Sequence, residues 1–278
     1  RRSASNAEVS ALVDAAVTTH PGDPAAAYGF LVEVLLQDPE LLFQVEREPA
    51  GTDPIVAISS QEAANRLALV LWGSAPDASL LQAADLGLLA DSTARARIAS
   101  AMLEDPRALR QMQAFHAAWL GYDVAPPGMY LFEADGLSVA EAATISAGIR
   151  QEADELVAQT LFRDDQPWAA ILATSQAWVT PELAALYGVP EAETMTGSAW
   201  MDVSVVGRAG ILSTTAYLGA ASRVLTTSPT LRGKAVQERL LCNPIAPPPP
   251  DVVSAAPPTG TEDSCQSERY LAHATDPA

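Results

Sequence analysis

The sequence predicts a mainly α protein, a multi-helix body of antiparallel or orthogonally packed helices that runs into a proline-rich C-terminal strap. Three observations lead there. Apolar residues recur at helical spacing, as in Leu67, Val70 and Leu71 ahead of Trp72, and again in Leu109, Met112, Phe115 and Trp119. Helix-start signals recur along the chain, several with proline at the first helical position. The joins between them are short and carry Gly or Pro, which favours antiparallel neighbours. The pattern amounts to about nine or ten helices and little sheet.

Taken in order, Ser5 with Glu8 and Ser59 with Glu62 fit the capping box, in which the hydroxyl accepts from a first-turn amide and the carboxylate reaches back. Between them, Asp38 precedes Pro39 in "DPELLF" and marks a further start. In "LWGSAPDASLL", Gly73 ends one helix and Asp77 caps the next. Asp105 in "DPRALRQM", Thr180 in "TPELAALYG" and Ser228 in "SPTLRGKAVQERLL" each place a side-chain acceptor before a proline, and Gly188 closes the helix that Thr180 opens. Trp72, Phe115 and Trp119 end or continue apolar stripes and are expected in the core. The stretch "MTGSAWMDVSVVG", Met195 to Gly207, breaks the helical period and is where a short strand or extended loop is expected. In "IAPPPPDVVSAAPPTG", Pro247 to Pro250 favour an extended polyproline II segment, a linker or a strap. No fixed-period repeat is evident, so a solenoid is not supported.

Length and composition bound the function. At 278 residues and 49% hydrophobic, the chain has apolar surface enough for a real core. A formal charge of -18 repels a phosphate backbone and an anionic leaflet alike, which weighs against nucleic acid and membrane surfaces as partners. No run approaches the roughly 20 apolar residues of a membrane span. The opening "RRSASNAEVS" has no apolar run behind its arginines to act as a signal peptide, so any export signal is expected upstream of Arg1.

The common catalytic templates are missing: there is no G-x-S-x-G elbow, no Gly-rich phosphate loop and no H-E-x-x-H pair, and the chain has 3 His. His20 falls at the end of the first helix, where it suits the helix C-terminus. His116 faces the apolar side of its helix and reads as a satisfied core histidine rather than a ligand. Glu152, Asp154 and Glu155 in "RQEADELVAQ" face different ways on a helix, so a solvated face accounts for most of them better than a paired-carboxylate site. Arg232, Lys234 and Arg239 share one short helix, with Arg208 shortly before it. Two readings stay open for these cations: they satisfy carbonyls and carboxylates inside the protein, or they anchor an acidic group of a cofactor or partner.

The runs "LLQDPELLFQVERE", "EAANRLALVLWGSAPDASLLQAADLGLL", "MLEDPRALRQMQAFHAAWLG", "AWVTPELAALYG", "GRAGILSTTAYL" and "TTSPTLRGKAVQERLLCNPIAPPPPDV" together resemble planctomycete and myxobacterial proteins built from the domains of unknown function numbered 1595, 1592 and 1588. The opening Arg-Arg resembles the start of the first, residues from about Gln61 to Gly188 the second, and Arg208 onward the third. The domain division expected on this basis is residues 1–50 for an N-terminal helical pair, 51–194 for a central helical domain, and 195–278 for a C-terminal helical segment with the proline-rich linker.

In similar proteins a segment like "ERYLAHATDPA" is followed by C-x-x-C-H, the attachment site of c-type haem. The resemblance therefore implies an exported, periplasmic or extracellular redox protein whose haem c is carried on a continuation past Ala278, with no cofactor inside this segment. It makes that haem module and electron-transfer proteins the expected partners, with a scaffold module of a surface assembly as the alternative. His273 then belongs to the lead-in, and Cys265 with His273 is two ligands where a structural zinc wants four. Arg208, Arg232 and Lys234, with His273 of the lead-in, become the candidates for facing the haem, the cations towards its carboxylates. Cys265 departs from the family pattern; it either bridges to Cys242 across the strap or stands as a separate thiol.

Overall fold

The computed structural model describes residues 4–43, 58–123, 138–222 and 227–246. The chain divides into two compact units, residues 1–111 and 112–278.

The first unit opens with a helical hairpin, α1 (Asn6–Thr19) and α2 (Pro24–Leu36), followed by one turn, α3 (Pro39–Leu42). Ser5 and Glu8 form the expected capping box, and Asp23 caps α2 by accepting from the amides of Ala25 and Ala26. Next come α4 (Ser60–Trp72), α5 (Ala78–Asp85), α6 (Ser92–Leu103) and the start of α7 (Pro106–Leu120). Ser59 and Glu62 close a second capping box, and Asp77 caps α5 through the Leu80 amide. Gly73 ends α4 at φ 64, in the left-handed region where glycine is favoured. A Cβ there would also meet the Gln111 side-chain amide, whose flexible end can swing aside, so it is the backbone angle that favours glycine.

Ala63, Ala64 and Ala68 of α4 are buried with Leu80, Ala84, Leu89 and Met102. Alanine on the contact face lets the helix backbones approach closely, and the aliphatic residues fill the remaining gaps.

The second unit is built round α8 (Val139–Val157), which starts at a Ser138–Glu141 capping box and ends in a widened π-helical turn, Ala158–Arg163. A two-stranded antiparallel sheet lies against it: β1 (Gln176–Val179) pairs with β2 (Ala199–Asp202), with Trp178 opposite Trp200 and their rings 5.8 Å apart. Between the strands, Thr180 and Pro181 start α9 (Pro181–Tyr187), and Gly188 closes it at φ 71. After β2, the 3-10 turns Ser204–Val206 and Ile211–Ser213 lead to α10 (Thr215–Ala220). Ser228 then caps α11 (Pro229–Ala235), which continues as a second π-helical turn, Val236–Leu240. Ile149, Leu156, Ile171, Val179, Leu183, Ile211 and Tyr217 belong to one core cluster. That cluster draws residues from both sides of residue 194.

Three expectations need correction. A strand was expected between Met195 and Gly207 alone; β2 lies there, but its partner β1 occupies "QAWV", which reads as the lead-in to a capped helix. Phe115 is 51% exposed, not buried. In the second half of α7 the buried residues are His116, Ala117 and Leu120. At about 100° per residue this face turns Phe115 outward, where its ring stacks on Trp119 at 5.8 Å. Trp72 and Trp119 are half-buried, each with its indole N–H bonded to a carbonyl, of Met102 and Arg239 respectively. Polar satisfaction, not full burial, holds these two rings.

Candidate functional site

The three carboxylates of "RQEADELVAQ" do part company, but one of them goes inward. Glu155 pairs with Arg163 at 2.7 Å. Asp154 meets Arg150 at 3.3 Å, while its Oδ1 is buried with no hydrogen-bond partner. Glu152 is 2% exposed and accepts a 2.6 Å hydrogen bond from the Tyr187 hydroxyl. That expectation of a solvated face therefore fails at Glu152, which lies on the same face of α8 as Ile149, Ala153 and Leu156.

Local chain geometry assembles the rest of this site. Tyr187 is the last residue of α9, and its hydroxyl oxygen accepts from the Thr215 amide at 3.1 Å and the Thr215 hydroxyl at 3.0 Å. Thr215 begins α10 immediately after its cap, Thr214. Arg208 lies between Gly207 and Gly210, both at positive φ. Its guanidinium sits 3.8 Å from the centre of the Tyr187 ring and donates to the Ser213 carbonyl. Gly210 passes so close to the chain at Leu172 that a Cβ would fall 2.2 Å from the Leu172 carbonyl oxygen. The run "GRAGILST" is thus a fold-back that brings Arg208 over Tyr187 and Thr215 beneath the tyrosine hydroxyl.

Burial pushes the Glu152 carboxyl up to about 7, with the Tyr187 hydrogen bond and the Arg208 charge pulling the other way. Burial, together with the nearby carboxylate, also holds the Tyr187 hydroxyl well above its usual range, so it stays a donor. The arrangement is a single buried acid, its carboxyl pushed up by burial, in contact with a tyrosine whose hydroxyl also accepts from Thr215 at the start of α10.

A second polar contact in this unit involves His116. It is 1% exposed, its Nδ1 lies 2.8 Å from the Met112 carbonyl, and its Nε2 faces the Trp168 indole N–H at 3.2 Å. Nδ1–H therefore donates to Met112 and Nε2 accepts from Trp168. Burial lowers the affinity of the imidazole for a second proton. Both nitrogens are satisfied within the fold, in keeping with a structural histidine.

In the first unit, Trp72 and Asp77 of the "LWGSAPD" run meet Arg107. Its guanidinium lies 3.4 Å over the Trp72 ring and bonds Asp77 at 2.9 Å and Asp105 at 2.6 Å. These residues border a cleft of about 370 Å³ whose other walls include Leu80, Ile98 and Met102. The Arg107 hydrogen bonds hold the Asp105 carboxyl down at about 2. The Leu80 amide, with Arg107 and Ser79 adding to it, holds Asp77 below the usual carboxylate range. Sequence spacing marked Trp72 and Asp77, but Arg107 lies 30 residues after Asp77 and carries no local signal.

The cations singled out in the sequence have different hydrogen-bonding and ion-pair partners, although Arg232 and Arg239 both act on Tyr217. Arg208 belongs to the Tyr187 site, Arg232 donates to the Thr227 hydroxyl at 2.6 Å, and Lys234 approaches Glu238 at 3.7 Å one turn on. Arg232 is half-buried and retains further N–H donors. Cys242 is exposed at φ 51, just past the second π-helical turn. Cys265 and His273 lie outside the described residues, as does the proline run 247–250. Among the described residues no cluster of three or more His, Cys, Asp or Glu is close enough to hold a metal ion, and no helix is long and apolar enough to cross a membrane.

A helical body with a buried acid is what the geometry defines, and parts of the chain match two family models. Residues 58–189 match the sequence model of PSD4, described as a protein of unknown function (DUF1592), and residues 208–278 match that of PSCyt3, described as a protein of unknown function (DUF1588). The second of these family names points to cytochrome association. The two models leave residues 1–57 unmatched, and no 1595-type domain is shown there. No curated protein and no solved structure is detectably similar to the chain.

Proposed function

We propose that the chain is the helical body of an exported, c-type-haem-associated redox protein, which forms a substrate or partner surface while a haem c module on its continuation handles electrons. The observation that carries this reading is the PSCyt3 match over residues 208–278, which includes the basic residues and the proline-rich strap. The buried Glu152 supports it: an acid held near neutrality inside the body is a group that takes up a proton when charge changes nearby. Arg208, Arg232 and Lys234 retain donors suited to haem carboxylates, which need cationic or hydrogen-bonding partners when withdrawn from water.

The test extends the gene product past Ala278 and expresses it in a periplasm with the cytochrome c maturation machinery. The 278-residue segment stays colourless, and the extended protein is red with a reducible iron. Arg232→Gln in the extended protein shifts the haem potential or loosens docking of the haem module. An extension without C-x-x-C-H within about twenty residues, or one that takes up no haem, overturns the redox reading.

A scaffold or binding module without catalysis is the second reading. The exposed apolar hairpin of the first unit favours it, since α1 and α2 together bury only Ala16.

A further inference from the structure

We propose that the α1–α2 hairpin is a docking surface for a basic amphipathic helix of a partner protein. In α2, "PAAAYGFLVEVLL", Glu33 is the one charged residue, and a helix apolar round its whole circumference belongs in an interior. Yet α2 has no buried residue. Tyr28 is 70% exposed, Leu35 49% and Leu36 59%. On α1, Val9, Val13 and Val17 follow one another at four-residue spacing and are also exposed. Val13 and Val17 on one helix face Tyr28 and Leu31 on the other across a groove of about 330 Å³. Two helices of 14 and 13 residues with Ala16 as their sole buried residue lack the packed face that stabilises helices of this length.

Charge selects the occupant. Residues 4–43 contain six carboxylates, Glu8, Asp14, Asp23, Glu33, Asp38 and Glu40, and neither Lys nor Arg. A second copy of the hairpin brings the same six carboxylates against these, with Asp23 of each copy at the groove itself. At physiological ionic strength charges are felt over about 8 Å, so that pairing is opposed. An anionic lipid surface is repelled for the same reason. A helix with an apolar stripe flanked by Lys or Arg covers the groove and neutralises its rim together. The hairpin, at 14 residues, spans about 21 Å, room for about four turns of such a partner.

The test uses the 278-residue chain and two fluorescein-labelled helical peptides of about 18 residues, each with a leucine face, one rimmed by lysine and the other by glutamate. Fluorescence anisotropy at low salt is expected to show binding of the lysine peptide, with the glutamate peptide weaker by at least about tenfold. A triple variant, Val17→Ser, Tyr28→Ser and Leu35→Ser, keeps every charge of the chain. It is expected to weaken the lysine peptide by at least about tenfold with the circular dichroism spectrum unchanged. Tyr28→Ser alone, at the most exposed of these positions, serves if the triple variant loses helicity, and is expected to weaken binding in the same direction. Hydrogen exchange is expected to place the peptide's protection on residues 6–36. Equal binding of the lysine peptide by the unmodified and variant chains overturns the proposal, because general attraction to an acidic protein then explains it. Dimerisation of the chain by light scattering that the triple variant abolishes assigns the groove to a second copy and overturns it too. So does binding to phosphatidylglycerol vesicles that the variant abolishes, which assigns it to lipid.

Discussion

Replacing Glu152 by Gln removes the charge of the buried acid and keeps an acceptor for the Tyr187 hydroxyl. The folded carboxyl titrates at about 7 against an ordinary 4.5. Because its folded value is raised, the native state binds more protons than the unfolded chain between those two values, and stability falls as pH rises through that window. At about 1.4 kcal/mol per unit, the loss accumulated by pH 8 is about 3 kcal/mol. His116 acts in the opposite sense: its folded value is lowered by burial, so its contribution is lost as pH falls. Comparing two proteins that differ only at residue 152 cancels the histidine. Urea unfolding followed by tryptophan fluorescence, run from pH 4.5 to 8, is expected to give E152Q a flatter profile. It should be more stable than the unmodified protein at pH 8 by up to about 3 kcal/mol and near parity at pH 5. Parallel profiles across that range would refute the buried, titrating carboxyl, whatever the absolute stabilities.

Tyr187→Phe removes the hydroxyl that donates to Glu152 and accepts from Thr215. It should cost about 1 to 3 kcal/mol, and more at pH 8 than at pH 5.5, by the same denaturant titration. Gly210→Ala meets the Leu172 carbonyl as well as a positive φ and should cost over about 3 kcal/mol. Gly188→Ala, with open space around it, should cost only about 1 to 2 kcal/mol for its left-handed backbone, and a thermal melt of the two side by side tests the contrast. Arg107→Gln should raise the Asp105 titration from about 2 towards 3.8, read by carboxyl NMR. As a depressed acid contributes stability that is lost when pH falls through its folded value, the unmodified protein's advantage over the variant should be full above pH 4 and shrink as pH falls towards 2. Phe115→Ala should change stability by under about 1 kcal/mol, since its ring is half in solvent.

Helix boundaries were legible because their chemistry is local. Ser5, Ser59, Asp77, Thr180 and Ser228 all accept the amides that their sequence context implies, and Gly73 and Gly188 take the backbone that only glycine adopts cheaply. What escaped was non-local. Strand β1 is four residues whose identity as a strand depends on β2, more than 20 positions later, and a four-residue run carries too little period to declare itself. Glu152 resembles its neighbours Asp154 and Glu155 in sequence; only the arrival of Tyr187 and Arg208 from other segments distinguishes it. Arg208 was marked as a cation of interest, yet its partner is an aromatic face, which charge counting does not see. Phe115 was misplaced by extending one apolar stripe along the whole of α7, although the buried face near its C-terminus is set by His116 and Leu120.

The π-helical turn that ends α8 holds one residue more than an α-helical turn would, so everything after it is offset by about 100° from the register that places Glu152. Such a turn is where chain length is negotiable. A one-residue deletion within Ala158–Arg163 has a ready outcome, relaxation of the wide turn to the ordinary α-helical ladder with the upstream face undisturbed. The same deletion between Ile149 and Leu156 has no such refuge: it would swing a carboxylate out of the interior and an apolar side chain into its place. Val236–Leu240 repeats the device just before the chain leaves its last described helix. Natural length variants of this protein should therefore collect at those two turns and spare the helix between Gly148 and Val157.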